Sequence, residues 1–304
     1  MSVVARTVAA LGAVALLITG CGASDSSAPA DGRPVAHAMG VSTVSAQPSR
    51  VVVLDTQELD AAVSLGVTPV GSTRASVSEE LPSFLQGKVV PGAIKTVGTI
   101  QDPDLEAIAT LQPDLILSSK LRHERIYPQL QAIAPTVLSE RTGDAWKDNL
   151  RLYADALGRA PQAQRLLTAY QTRTSELGRR VNAAQTTVSV IRQTPEDLRL
   201  YGPRSFVGSV LTDTGFARPE IVRSAPKAFV EIGPEQIGQA DADVVYATTY
   251  GNVPKLSASP LWRSLSAVRA GRAFEVPDDS WMLAIGPTGA NLVLDDLERT
   301  LTAP

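Results

Sequence analysis

The sequence is short of the residues that most metal, redox and covalent chemistry requires. Its 304 residues include one cysteine, Cys21, and two histidines, His37 and His123. A single cysteine near the N-terminus leaves the rest of the chain without a disulfide, a thiolate metal site or a cysteine nucleophile. Two imidazoles are too few for a zinc site built from several of them. They also leave little for a Ser-His-Asp triad, and no Gly-x-Ser-x-Gly segment is present. These absences argue against an enzyme, and no cofactor is expected. Excess positive charge is lacking too, with 28 Lys+Arg against 31 Asp+Glu and a net charge of -3. No basic surplus is available to hold a nucleic-acid backbone. Only six of the basic residues are lysines, and arginine favours planar, bidentate contact with anions. The early apolar run, Val8–Ile18, falls short of the ~20 residues that a bilayer-spanning helix needs.

What is present is an ordinary globular composition, 44% hydrophobic and 19% charged, long enough for two domains. Ahead of it, Arg6, the apolar run and Ile18-Thr19-Gly20-Cys21 resemble a bacterial lipoprotein signal. That resemblance implies removal of residues 1–20 and lipidation of Cys21. Residues 21–33 are small and polar and read as the lipidated cysteine with a flexible tether. The chain is therefore expected on the outer face of the cytoplasmic membrane, held by a lipid anchor only.

From Arg50 onward, strands and helices alternate. Val51–Leu54, 67–71, 113–118 and 135–138 read as strands, with helices over 57–65, 105–111 and 127–133, and Asp55-Thr56 suited to capping the first. Residues 72–95 carry Gly, Pro and Ser with little pattern and read as loop. Trp146, Leu150, Tyr153 and Leu157, then Leu166, Leu167, Tyr170, Leu177 and Val181, recur at helical spacing. They predict a helix ending near Gly158 and a long one starting at Pro161, of about 24 residues or roughly 36 Å. Strand-like runs then resume at 188–193, 198–201, 228–232, 243–248 and 273–276. Helices are expected at 206–213, 236–240, 261–265 and 291–301. The pattern is that of an α/β protein, with lobes at 34–144 and 186–304 joined by helices over 145–185.

The two lobes share a frame. Glu106-Ala-Ile108 runs through five residues to Asp114, and Glu235-Gln-Ile237 runs through five to Asp243, each followed by three residues able to fill a strand. Packing accounts for the isoleucines and the apolar run. A glutamate at a helix start also suits the positive end of the helix dipole, so the frame alone leaves its role open. Paired halves joined by a helix suggest a ligand cleft between them.

Several segments then carry a family resemblance. They are His37-Ala38-Met39-Gly40, Arg50 to Asp55 with Glu58-Leu59-Asp60, Leu65 to Gly71, Leu111 to Leu117 and Ile133 to Val137. Further on come Leu200-Tyr201-Gly202, Ser209-Val210-Leu211, Pro260-Leu261-Trp262 and Leu294 to Leu297. Together and in order, they resemble the iron-siderophore substrate-binding proteins of bacterial ABC importers. The resemblance implies two Rossmann-like lobes with mostly parallel sheets, joined by a single long α-helix as in class III periplasmic binding proteins, with limited hinge motion. It implies a monomer that binds an iron(III)-siderophore complex between the lobes and delivers it to a permease and its ATPase. Glu106 and Glu235 are then expected on the lobe tips, docking onto permease arginines.

A ferric siderophore is a bulky chelate whose iron is already saturated, so the protein needs cations and flat aromatic faces rather than metal ligands. On strand-end loops the candidates are Arg74, Lys120, Arg122, Tyr201, Arg204, Tyr250 and Trp281. Trp146 and Trp262 read as packing residues, His37 as lying near a strand start, and His123 as an exposed loop residue. Heme or cobalamin receptors share this fold and remain open alternatives, as does direct metal-ion binding through carboxylates.

Overall fold

The computed structural model describes residues 32–75 and 82–302; Cys21 and the signal segment lie outside them. Gly32 and Arg33, expected at the end of the tether, pair with Ser45 and Val44 in a hairpin of β1 (Gly32–His37) and β2 (Gly40–Ser45). The first lobe then follows β3 (Val51–Val53), α1 (Thr56–Ser64), β4 (Gly71–Arg74), β5 (Lys95–Thr99), α2 (Leu105–Thr110), β6 (Leu115–Ser119), α3 (Lys120–His123), α4 (Tyr127–Ile133) and β7 (Thr136–Ser139). Two helices cross the middle, α5 (Trp146–Ala156) and α6 (Ala160–Arg180). The turn between them passes through Gly158 at φ +66°, against the Ala46 carbonyl. The second lobe contains β8 (Val188–Gln193), β9 (Leu198–Tyr201), α7 (Phe206–Thr214), α8 (Glu220–Arg223), β10 (Phe229–Ile232), a 3₁₀ helix Pro234–Ala240, β11 (Val244–Thr249), α9 (Ser266–Arg269), β12 (Ala273–Glu275) and α10 (Pro287–Leu301).

The strand orders are β5-β4-β3-β6-β7 and β10-β9-β8-β11-β12, one plan used twice. The first sheet is wholly parallel. In the second, β9 runs antiparallel to both its neighbours, because a tight β8–β9 connection replaces a helical crossover. The repeated aspartates have a structural duty. Asp114 accepts from Ser49 N–H (2.7 Å) and Arg50 N–H (2.9 Å) just before β3. Asp243 accepts from Thr187 N–H (2.7 Å) just before β8.

Some expected boundaries move. The strand expected at 67–71 begins at Gly71, and β5 lies at the end of the expected loop. Neither is apolar enough to stand out. Gly71 itself is needed for space, since a Cβ there would come 2.5 Å from Leu111 Cδ1. The segment expected as helix over 261–265 divides into a 3₁₀ turn, Trp262–Ser264, and α9. The last helix starts earlier, at Pro287, where proline suits the first turn.

Burial sorts each strand by alternation. Val51, Val53, Leu115, Leu117 and Val137 on one sheet, and Val188, Val190, Val244 and Tyr246 on the other, share one core with α1, α5, α6, α7 and α10. The opposite strand faces pack outward in separate clusters, Val52 and Ile116 with Ile108 of α2, and Ile191 and Val245 with Ile237. The two sheets thus look at each other through a single apolar helical layer. Pulling the lobes apart along that layer would expose it, so large opening is disfavoured.

Asp60 ties the lobes polarly. It is fully buried on α1, yet its two oxygens accept from Thr288 N–H (3.1 Å) and Gly289 N–H (3.0 Å), so it caps α10 from a distant helix. Ser64 Oγ donates to the same carboxylate (2.8 Å). Asp60→Ala leaves two buried N–H groups unpaired and should cost about 1–3 kcal/mol. Asp60→Asn, which keeps one acceptor, should cost less. Gly286→Ala should also destabilise, because its Cβ would fall 2.8 Å from Asp60 Cγ. Urea unfolding of the three variants checks the order; equal midpoints would show that α10 does not depend on this cap.

Candidate ligand site

The same alternation that builds the shared core also builds the site. Continuing the inner rows past the core reaches Asp55, Ser119 and Ser139 on the first sheet. On the second it reaches Arg192, Thr248, Tyr250 and Asp278. Both sheets therefore change from apolar to polar on their inner faces at the carboxyl ends of the parallel strands, the usual ligand end of such sheets. One contact between the lobes lies at this end, where Ser83 N–H donates to Asp279 Oδ2 (2.7 Å); elsewhere Gly143 lies against the backbone of Arg204 and Phe206.

On the second lobe, Arg192 makes a two-pronged bond to Asp278, Nε to Oδ1 (2.7 Å) and Nη2 to Oδ2 (2.6 Å). Its guanidinium lies 4.5 Å from the Tyr250 ring centroid. Burial works against its charge, but Asp278 and the Tyr201 hydroxyl outweigh this and hold its pKa above the usual value. Arg199, two residues along the inner row from Tyr201, stacks on Phe229 at 4.7 Å. Tyr201 is itself anchored through its carbonyl, which accepts from Nη2 of the buried Arg218 (2.5 Å). Guanidinium and ring surfaces are thus paired on this wall.

The first-lobe wall is more polar. Arg122 Nε donates to Asp55 Oδ2 (2.9 Å), the guanidinium side chain being 39% exposed and the carboxylate 2%. Lys120 reaches Glu140 at 3.4 Å. Arg74 borders a cavity of about 600 Å³ between β4, β5 and the segment around Leu85 and Ile94. Below Asp55 lies a sealed network. Asp55 Oδ1 accepts from Thr56 N–H (2.6 Å) at the start of α1. Glu58, 0% exposed, contacts the Tyr153 hydroxyl, which is also close to Ser139 Oγ (2.7 Å) and the Ser118 carbonyl (3.0 Å). Burial first, and then the charge of Asp55, push the Glu58 carboxyl up to about 8.

The structure gathers Lys120, Arg122, Tyr201 and Tyr250 at the polar ends, with Arg74 beside its cavity and Arg204 exposed next to Gly143. Trp281 is corrected. It is 0% exposed, stacks on Tyr246 at 4.7 Å and donates from Nε1 to Asp296 Oδ2 (2.9 Å). An aromatic next to a terminal helix is as well suited to closing the core as to lining a cleft, and here α10 covers it. His123 is corrected as well. It is buried, its Nε2–H donates to the Ile100 carbonyl (2.8 Å), and its Nδ1 accepts from Ser118 Oγ (2.6 Å). Burial lowers its pKa, favouring the neutral ring. Trp146 and Trp262 are buried as expected. Arg192 and Asp278 are new. The available signal was the inner row Val188, Val190, Arg192, in which a charge follows two core valines. Glu106 and Glu235 are exposed at matching places, in the first turns of the helical segments that follow the edge strands β5 and β10.

The raised Glu58 pKa has a signed consequence. The folded chain keeps this proton where the unfolded chain has lost it, so the stability it confers is present at low pH. That stability is lost as pH rises from about 4.5 towards 8. Glu58→Gln cannot ionise. The stability of the parent relative to this variant should therefore fall steadily over that range in paired thermal melts. A pH-independent difference would show that Glu58 is not held protonated.

Comparison with known proteins agrees with this architecture. A family model for periplasmic binding proteins matches residues 51–280. The probable siderophore-binding lipoprotein YfiY of Bacillus subtilis is 36% identical over 305 residues, covering 93% of each chain. The achromobactin-binding periplasmic protein of Dickeya dadantii is 31% identical over 265 residues, covering 83% of this chain and 86% of that one. Among solved structures, Staphylococcus aureus SirA complexed with staphyloferrin B superposes with a TM-score of 0.79 at 29% identity, covering 88% of this chain and 98% of that one. A repeated α/β plan around one helical layer, with a charged and aromatic end between the lobes, thus has a family: the chain belongs to the periplasmic binding proteins.

Proposed function

We propose that this chain is an extracytoplasmic lipoprotein, anchored through Cys21, that binds an anionic ferric siderophore between its lobes and passes it to the permease of an ABC importer. The observation that carries the reading is that two sheets sharing one apolar core both carry charged or aromatic groups beyond it: Arg192 with Tyr250 and Tyr201 on one lobe, Arg122 and Lys120 on the other. Guanidinium and ammonium groups suit the carboxylate or catecholate oxygens of a chelate, and ring faces suit its apolar edges. Ferric chelates carrying carboxylates fit this arginine-rich end best, and the relative named for ferric citrate supports that choice. Arg74 and Arg204 are assigned supporting contacts at the rim, and Trp281 none.

Delivery is assigned to Glu106 and Glu235. Asp104 already caps α2, its Oδ1 accepting from Ala107 N–H (2.9 Å), so Glu106 is not needed for that purpose. Two exposed carboxylates after equivalent edge strands can orient the chain on a partner bearing two basic sockets.

Isothermal titration of the mature protein with ferric citrate, ferric hydroxamate, ferric catecholate and heme tests the ligand. Saturable binding of a carboxylate-bearing ferric chelate is expected. Arg122→Ala and Arg192→Ala should each weaken it about tenfold or more, equivalent to about 1.4 kcal/mol, while Trp281→Phe should leave it unchanged. Preference for heme, or indifference to both arginine changes, would overturn the assignment. For delivery, the double variant Glu106→Lys/Glu235→Lys should abolish cellular uptake of labelled iron while retaining chelate binding. Undiminished uptake would remove the docking role.

A further inference from the structure

Two carboxyl groups lie beneath Arg122, three residues apart at the start of α1. Asp55 caps the helix and holds Arg122. A glutamate at this spacing ordinarily turns back to the capping residue's N–H. Glu58 turns into the core instead, onto the Tyr153 hydroxyl, and its Oε2 has no partner. A sealed carboxylate with an unsatisfied oxygen is costly, so the group favours its protonated form. The groups facing it are Asp55 and Gln57 from α1, Arg122 from α3, Tyr153 from α5, and the Ser118 carbonyl and Ser139 hydroxyl at the strand ends. The neutral His123 lies beyond Asp55. Arg122 uses only Nε for Asp55; its two terminal nitrogens make no hydrogen bond among the described residues.

We propose that the Asp55–Glu58 pair is the positioning element for Arg122, and that the proton held by Glu58 sets how strongly this arginine grips an anionic chelate. Asp55 fixes the guanidinium through Nε and leaves the two terminal nitrogens of this exposed side chain available to an anion. With the Glu58 proton in place, the pair carries one negative charge, which Arg122 balances. When that proton leaves to solvent, a second negative charge lies under the fork and offsets its attraction for the ligand. By linkage, a bound anion in turn makes the pair hold its proton more tightly. Chelate binding within the ionisation range of Glu58, where the free pair has lost part of its proton, therefore takes up a proton. The inference rests on the reading of this cleft as a chelate site.

The test is titration with ferric citrate at intervals between about pH 6 and 9, comparing the parent with Glu58→Gln at each pH so that the ligand's own titration cancels. The affinity of the parent relative to the variant should fall as pH rises, by up to about tenfold per unit for one linked proton. Parallel titrations in two buffers of different ionisation enthalpy should show proton uptake by the parent and less by the variant. Tyr153→Phe, which removes the hydrogen bond that favours the ionised form, should shift the fall to higher pH, an effect that mere loosening of the fold would not produce. Thermal melts establish that each variant is folded. A parent-to-variant ratio that stays constant across the range, in a parent that binds, overturns this inference alone. A parent that binds no ferric chelate at any pH overturns the reading of the site and this inference with it.

Discussion

One shared apolar layer governs this molecule. The inner faces of both sheets and five helices bury the same core, so neither lobe can be completed without the other. At roughly 25 cal/mol per Å² of apolar surface, exposing even part of such a layer costs several kcal/mol. That cost works against pulling the lobes apart, as does the polar cap that Asp60 places on α10. A receptor built this way has a largely preformed cleft, and preorganisation spares much of the entropy that ligand capture would otherwise cost.

The location of the cleft follows from where that layer stops. Strand side chains alternate between faces, so each inner row of valine and leucine must end somewhere. On both sheets it ends in charge or hydroxyl at the carboxyl side of the strands. The second lobe answers with a neutralised, stacked guanidinium, Arg192 between Asp278 and Tyr250. The first answers with Arg122 held over a carboxyl pair. The two walls differ in kind. One is a buried ion pair that loses its balance if either partner is removed. The other is a 39% exposed guanidinium whose terminal nitrogens make no hydrogen bond among the described residues, better suited to exchanging partners with an incoming anion.

Much of the architecture was legible along the chain. Fully buried parallel strands appear as short β-branched runs, as in Val51–Val53, and the central helices announce themselves by periodic Leu and Tyr. The strands β4 and β5 were not legible, because a glycine chosen for clearance and a run of Ser, Thr and Lys carry no apolar signature. Of the candidate site, the placing of Lys120 and Arg122 just past a strand end was legible. Arg192 was legible only as a charge in the row of Val188 and Val190; that this row faces the other lobe is decided by the fold. The burial of Trp281 was not legible, because it depends on Tyr246 and Asp296, which are close in space but not in sequence.

The sequence by itself determined the α/β alternation, the doubled plan, the scarcity of metal- and redox-competent side chains and the arginine-rich chemistry. These depend on residue type and on local spacing, which hydrophobic periodicity and turn preference translate directly. Only the tertiary structure decided which charges face the cleft, that Glu58 is sealed beside Asp55, and that Trp281 and His123 belong to the interior. Burial and proton affinity are set by neighbours brought together across the fold, and a group's charge state depends on the dielectric and the partners it meets there.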